Sequence, residues 1–85
     1  MYNYLVSYFV YILECANGTL YTGITTDIKR RFEEHRAKAG SHYTASHKAK
    51  KIVYKEIAPT RSEALKREAE LKSWRREKKL ALFNK

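Results

Sequence analysis

The sequence has few of the residues that cross-link or break a chain. Its 85 residues include one cysteine, one proline and three glycines. A single cysteine, Cys15, excludes an internal disulfide, which is compatible with a reducing cytosol. No apolar run approaches the roughly 20 residues needed to cross a bilayer, and the N-terminal segment lacks the features of a signal peptide. These absences predict a cytoplasmic protein that does not enter a membrane.

Several reactive motifs are also missing. The sequence contains neither a glycine-rich phosphate loop nor the turn that presents a nucleophilic serine. Two histidines, His42 and His47, have no cysteine partners at a spacing usual for zinc. The chain is therefore not expected to be a phosphate-loop nucleotide hydrolase, a serine hydrolase or a zinc-binding protein.

Positive charge, in contrast, is abundant and unevenly placed. Lysine and arginine number 18 against 9 acidic residues, so the net charge is +9, and no basic residue precedes Lys29. Such an excess on a small domain predicts a polyanionic partner, with nucleic acid ahead of an anionic membrane. The alternative is a surface that serves only solubility.

The patterning predicts one small α/β domain, spanning residues 4–82, with the element order β-β-α-β-α-α. Strands are expected at residues 7–15, 19–24 and 51–57. The first helix is expected to begin at Thr26 or Asp27 and to end near Ala39. A capping box at residues 60–63 starts the second helix, and Ser73 is a candidate cap for a short third helix.

The turn at residues 17–18 leaves the register of the first hairpin open. A two-residue loop pairs Tyr11 with Ile24 and sends Tyr11 and Tyr21 to opposite faces of the sheet. A three-residue loop that ends in a bulged glycine pairs Tyr11 with Gly23 and places both tyrosines on one face. The local sequence permits either loop.

Two charged side chains fall beside the apolar stripes of the predicted helices. Arg31 lies three residues after Ile28 and four before His35, and Glu68 lies three before Leu71. A buried carboxylate is costly unless it is paired, hydrogen-bonded or bound to metal. Glu68 therefore marks either a salt bridge or a functional site. His35 is equally open, because a half-buried histidine can simply have its ring hydrogen-bonded.

The tripeptides at residues 9–11 (FVY) and 21–23 (YTG), followed by an arginine and a glutamate on successive helices, resemble the GIY-YIG nuclease domain. The resemblance extends from about residue 9 to about residue 80 and is nearest to small stand-alone bacterial members. It implies an α+β fold, with a three-stranded antiparallel sheet flanked by helices. It also implies metal-dependent cleavage of DNA phosphodiesters, on branched or damaged DNA and in processes such as DNA repair.

The same resemblance implies a set of catalytic residues. By position, Tyr11 matches the general base that activates water, Tyr21 the second motif tyrosine and Arg31 the group on the scissile phosphate. His35 matches a polar position near the site, and Glu68 the carboxylate that holds one Mg²⁺ or Mn²⁺. Because both tyrosines are then expected to line one site, the resemblance selects the three-residue loop.

The sequence departs from the family pattern in two places. Phe9 stands where the first motif begins with glycine, and Thr22 is the middle residue of the second motif. The family's site often includes a terminal asparagine, for which Asn84 is the candidate near the end.

Further candidates contact DNA outside the cleavage site. They are Arg30, Tyr43, His47, Lys48, Lys50 and Lys51. Tyr43 is suited to stacking on a base. Two other functions compete: a nucleic-acid-binding module without catalysis, and a protein-interaction domain with anchors on the last helix, at residues 73–83. A protein partner that supplies DNA recognition is compatible with both the nuclease and the non-catalytic nucleic-acid-binding module.

Overall fold

The computed structural model describes residues 7–37 and 49–84. Three strands form an antiparallel sheet in the order β2-β1-β3, and the α+β class and element order are as predicted. None of the helices in the described ranges has the length and apolar character needed to cross a membrane. The elements are β1 Tyr8–Cys15, β2 Leu20–Thr25, α1 Ile28–Ala37, β3 Ala49–Ala58, α2 Arg61–Lys72 and α3 Arg76–Phe83.

The β1–β2 hairpin has the three-residue loop. Gly18 lies in the left-handed region at φ 88°, which glycine adopts without a steric penalty. In the resulting register Tyr11 pairs with Gly23, and Leu13 pairs with Tyr21. Side chains of paired residues project to the same side of a sheet, so both tyrosines lie on one face, as predicted.

The two faces of the sheet have different neighbours. We call the face that carries Tyr11, Tyr21 and Gly23 the site face, and the opposite face, with Val10 and Thr22, the core face. Helix α1 lies on the site face, where His35 contacts Tyr11. Helices α2 and α3 lie on the core face, and their apolar side chains bury Val10.

The core face holds the main hydrophobic cluster. Val10, Ala64 and Leu71 are fully buried there, and Ala58 closes the cluster from β3. Trp74 and Leu82 pack against the same cluster. Because these two apolar groups cover the core, α3 offers little reason to be read as an exposed protein-docking helix.

Capping explains where α2 begins and ends. The hydroxyl of Thr60 accepts a hydrogen bond from the backbone N–H of Glu63 at 3.1 Å, which confirms the predicted N-cap. The prediction for Ser73 was wrong. Ser73 is the C-cap of α2, where its hydroxyl donates to the carbonyl of Glu70 at 2.6 Å, and α3 has Arg75 at its N-cap.

Other differences from the predicted pattern are small. Strand β3 is longer than expected, running from residue 49 to 58, and its register with β1 shifts between Ile12 and Leu13. The helical spacing of Leu65 and Lys72 relative to Ala64, Glu68 and Leu71 predicts one shared side of α2, but Leu65 and Lys72 are exposed. The predicted end of the first helix at Ala39 lies outside the described residues.

Candidate active site

Three rings from three elements converge on the site face. Tyr11 of β1 is 1% exposed, whereas Tyr21 of β2 is 39% exposed. Their ring centroids lie 6.2 Å apart, and the ring of His35 stands edge-on to Tyr21 at 5.0 Å. The phenol oxygen of Tyr11 and Nε2 of His35 share a hydrogen bond of 3.0 Å, in which either group can hold the proton. The geometry places a buried phenol in hydrogen-bond contact with an imidazole ring.

Gly23 makes room for the ring of Tyr11. A Cβ atom at position 23 would lie 2.7 Å from the phenol oxygen of Tyr11 and 2.8 Å from the adjoining ring carbon. Such separations are far below van der Waals contact. The ring of Tyr11 therefore lies across β2 only because residue 23 has no side chain.

Helix α1 delivers the arginine. The helix begins after Asp27, whose carboxylate accepts a hydrogen bond from the backbone N–H of Arg30 at 3.0 Å. Arg31 and His35 are one turn apart and share a face of the helix. The guanidinium of Arg31 interacts with the phenol groups of both site tyrosines. It also donates from Nη1 to Oε1 of Glu34 at 3.0 Å.

The surroundings shift the proton affinities of these groups. Burial raises the pKa of Tyr11, and the hydrogen bond from Arg31 offsets part of that rise. The hydrogen bond that Arg31 donates to Glu34, followed by its hydrogen bond to Tyr11, raises the pKa of Arg31, which is charged at any physiological pH. Tyr11 is therefore protonated at neutral pH, and it needs a neighbouring group to take its proton before it can act as a base.

Glu68 lies on α2, which packs against β2, the strand that carries Tyr21. Its side chain is only 18% exposed, and its carboxylate pairs with Nζ of Lys72 at 3.3 Å. The negative charge of Glu68 is close enough to raise the pKa of Tyr11. The salt bridge that the sequence allowed for Glu68 is thus present, and its partner is Lys72.

The donor groups decide which metal the site suits. Within residues 7–37 and 49–84, no three His, Cys, Asp or Glu side chains lie together as a metal-binding group. Mg²⁺ keeps several waters and is commonly held by one or two carboxylates, and Mn²⁺ favours similar oxygen ligands. Structural zinc takes four protein ligands. A single half-buried carboxylate therefore fits Mg²⁺ or Mn²⁺ and does not fit zinc.

The predicted DNA contacts are more scattered than the cleavage residues. The side chain of Arg30 is 59% exposed and pairs with Glu34 at 3.1 Å. Lys50 and Lys51 are exposed on β3, which is separated from β2 by the full width of β1. Asn84 is exposed at the end of α3, on the core-face side of the sheet. Three of the predicted contacts lie outside the described residues: Tyr43, His47 and Lys48.

Three residues of the site were not singled out by the sequence. Glu34 follows Arg31 by three residues and Arg30 by four, spacings that allow ion pairs on a helix. Lys72 follows Glu68 by four in the same way. The need for glycine at position 23 was implicit in the bulged register, because that register places residue 23 directly opposite Tyr11.

Comparison with known proteins agrees with this architecture. Residues 7–81 match the model of the GIY-YIG catalytic domain. UPF0213 proteins of Staphylococcus aureus strains Mu50 and N315 are 47% identical over 77 residues, which cover 91% of this chain and 94% of each relative.

A solved structure gives the same result. The solution NMR structure of a UPF0213 protein from Bacillus halodurans is 39% identical, covers 89% of this chain and 81% of its own, and superposes with a TM-score of 0.57. The chain, with its paired site tyrosines and their arginine, belongs to the GIY-YIG catalytic domain family of nuclease domains.

Proposed function

We propose that the protein is a metal-dependent endonuclease that hydrolyses phosphodiester bonds of DNA, including branched or damaged DNA. The observation that carries this proposal is the convergence of Tyr11, Tyr21, Arg31 and His35 on one face of the sheet, with the charge of Glu68 beside them. The net charge of +9 supports a polyanionic substrate.

Arg31 binds the scissile phosphate in this mechanism. A guanidinium presents a planar fork of N–H donors that matches two phosphate oxygens, and its fixed charge stabilises the charge that develops as water attacks. The side chain of Arg31 is 32% exposed, so a phosphate can reach it from solvent. Tyr21, which is more exposed than Tyr11, lies beside the same phosphate.

Tyr11 and His35 manage the proton. The oxygen of the attacking water bonds to phosphorus, the bond from phosphorus to the leaving oxygen breaks, and the water loses a proton. Tyr11 accepts that proton once its own has passed to Nε2 of His35 across the 3.0 Å hydrogen bond. The pair is a better acceptor than a lone buried phenol, whose pKa is raised by burial.

Glu68 is the group that would hold the metal. A Mg²⁺ or Mn²⁺ ion held by Glu68 would supply Lewis-acid stabilisation of the charge that develops on the phosphate and the departing oxygen. Glu68 is held at the site by α2, and its partner Lys72 sits on the solvent side, with half of its side chain exposed.

A nicking assay on supercoiled DNA, and on branched and damaged duplexes, tests the proposal. Cleavage is expected with Mg²⁺ or Mn²⁺ and not with EDTA. Arg31→Ala is expected to slow cleavage by about 10²- to 10³-fold, because it removes a preorganised donor from the transition state. Glu68→Gln is expected to lose the cleavage that Mg²⁺ or Mn²⁺ supports in the wild type.

Matched variants guard against nonspecific effects. Arg36→Ala removes a cation from the same helix as Arg31, and Glu70→Gln removes a carboxylate from the same helix as Glu68. Both controls are expected to cleave like the wild type. Equal cleavage by the wild type, Arg31→Ala and Glu68→Gln would sink the proposed mechanism.

The second candidate is a nucleic-acid-binding module that does not cleave. One observation favours it: Arg31 and Glu68 each already have an opposite charge on their own helix, Glu34 and Lys72. In that case the protein binds DNA with strong salt dependence, and no metal, substrate or pH yields cleavage. The nicking assay, run beside a binding titration, separates the two functions.

A further inference from the structure

Glu34 bridges Arg30 and Arg31, the two arginines of α1 that are predicted to contact DNA. Its Oε1 accepts from Nη1 of Arg31 at 3.0 Å, and its Oε2 accepts from Nη1 of Arg30 at 3.1 Å. Each carboxylate oxygen thus occupies one guanidinium. Both arginines were predicted to contact DNA, so one acidic residue occupies donors of two candidate phosphate-binding groups.

A carboxylate and a phosphate bind the guanidinium of arginine with the same geometry. Each presents oxygens that accept parallel N–H hydrogen bonds from a guanidinium fork. Arg31 also interacts with the phenols of Tyr11 and Tyr21. Glu34 therefore occupies Nη1 of Arg31, one of the donors that a phosphate would use.

We propose that Glu34 is an internal competitor for the DNA phosphate: it occupies Arg31 and Arg30 in the free protein, and a phosphate must displace it to bind. This inference rests on the proposed function in one respect, namely that Arg31 is a phosphate-binding group. It assigns to Glu34 the role of setting DNA affinity at the site.

The exchange is physically accessible. The side chains of Arg31 and Glu34 are 32% and 40% exposed, and ion pairs with this access to water contribute little net stability. The contacts that hold Arg30 and Arg31 to Glu34 are both made between side chains. A change of rotamer at Glu34 therefore releases both arginines without moving the backbone of α1.

Another role for Glu34 is possible on the same contacts. A carboxylate that holds Arg31 in the correct rotamer would assist phosphate binding. The two roles predict opposite signs: removing the charge of a competitor tightens DNA binding, whereas removing the charge of a positioning group weakens it. Direct binding measurements therefore distinguish them.

The experiment compares Glu34→Gln with Glu33→Gln. Both replacements remove one negative charge from adjacent positions of α1, so they share any general gain in attraction for DNA. Glu33 is exposed, and no ion pair is seen for it within the described residues. Binding of a fluorescein-labelled DNA duplex is measured by anisotropy in EDTA, so that no cleavage occurs.

Glu34→Gln is expected to bind about two- to fivefold more tightly than Glu33→Gln, the equivalent of one exposed ion pair no longer opposing the phosphate. Equal affinities of the two variants, or weaker binding by Glu34→Gln, would overturn the inference. Thermal unfolding of both variants checks that neither difference arises from a loss of folded protein.

A second comparison links the effect to Arg31. In an Arg31→Gln background, Glu34→Gln is expected to keep only the part of its advantage over Glu33→Gln that comes from Arg30. An undiminished advantage would contradict competition at Arg31. Arg31→Gln alone, compared with Arg36→Gln, tests the proposed function separately. If these two single variants bind DNA equally, it is the phosphate-binding role of Arg31 that fails.

Discussion

The two faces of the sheet are buried by different kinds of side chain. On the core face, α2 and α3 cover the strands with apolar groups such as Ala64 and Leu71. On the site face, the side chains that reach Tyr11 from α1 are Arg31 and His35, and no residue of α1 is fully buried. One layer thus stabilises the fold, and the other uses the strand as the floor of a polar site. Substitutions on the two faces are expected to separate stability from reactivity.

Removing a phenol hydroxyl from each face gives the largest expected contrast. Tyr11→Phe on the site face is expected to slow cleavage by about 10²- to 10⁴-fold, the usual contribution of a general base. Tyr54→Phe on the core face removes a hydroxyl that donates to Glu56 at 2.6 Å and is expected to leave cleavage unchanged. Both variants are expected to lose about 1 kcal/mol of unfolding free energy. Single-turnover cleavage and urea unfolding measure the two quantities.

Similar losses of cleavage in the two phenylalanine variants would contradict the division between the faces. They would indicate that any weakened hydroxyl contact in this small domain disturbs the site.

Leucine truncation on α2 tests the core layer. Leu71→Ala, at a fully buried position, is expected to lower the unfolding free energy by about 2–5 kcal/mol. Leu65→Ala removes the same atoms from the same helix, at a side chain that is 38% exposed, and is expected to cost less than about 1 kcal/mol. Urea unfolding measures both. Cleavage per folded molecule is expected to stay at the wild-type value, and a selective loss in Leu71→Ala would show that the core also tunes the site.

The two hairpin glycines offer a matched pair. Gly23→Ala drives a methyl group into the phenol of Tyr11 and is expected to cost about 1–3 kcal/mol together with most of the cleavage activity. Gly18→Ala meets no neighbouring atom but must adopt a positive φ, at a cost of about 1 kcal/mol. Its cleavage rate is expected to match the wild type. Wild-type cleavage by Gly23→Ala would mean that the position of Tyr11 is unimportant.

The pH profile gives the smallest effect and addresses the proton. With His35 holding the proton of Tyr11, the reactive pair needs no net loss of a proton, so the cleavage rate is expected to be flat between about pH 8 and 9.5. In His35→Gln, Tyr11 must lose its proton to solvent. Because burial raises the pKa of Tyr11 above 10, the rate of this variant is expected to rise about tenfold per pH unit over that range. A similar rise in the wild type would remove His35 from the proton path.

The element order was predictable from local patterns, because each element carries its own periodicity and caps. The hairpin register was not, since residues 16–18 suit both loop types, and only the family resemblance required Tyr11 and Tyr21 on one face. Ser73 was misassigned because a serine hydroxyl serves the start of a helix and the last carbonyls of a preceding one equally well. Local sequence does not say which of these partners is nearer.

The residues that meet at the site were predictable only as a set. Tyr11, Arg31 and Glu68 are far apart along the chain, and no spacing rule brings them together. The role of Glu34 was not predictable from its spacing. Pairs of acidic and basic residues four apart are so common on exposed helices that they carry little information by themselves. The importance of Glu34 depends on the interaction of its partner Arg31 with the site tyrosines, which only the folded structure shows.

The two motif tripeptides can now be understood as the two sides of one pleated hairpin. Their outer residues lie on the site face, whereas the middle residues, Val10 and Thr22, point into the core and are almost inaccessible to water. Within the described part of the chain, the hydroxyl of Thr22 has no hydrogen-bond partner. The middle position therefore requires only a branched side chain of suitable volume, and valine or isoleucine meets that requirement without an unpaired polar atom. In such a motif the central residue contributes to the packing of the core, whereas the flanking residues face the site.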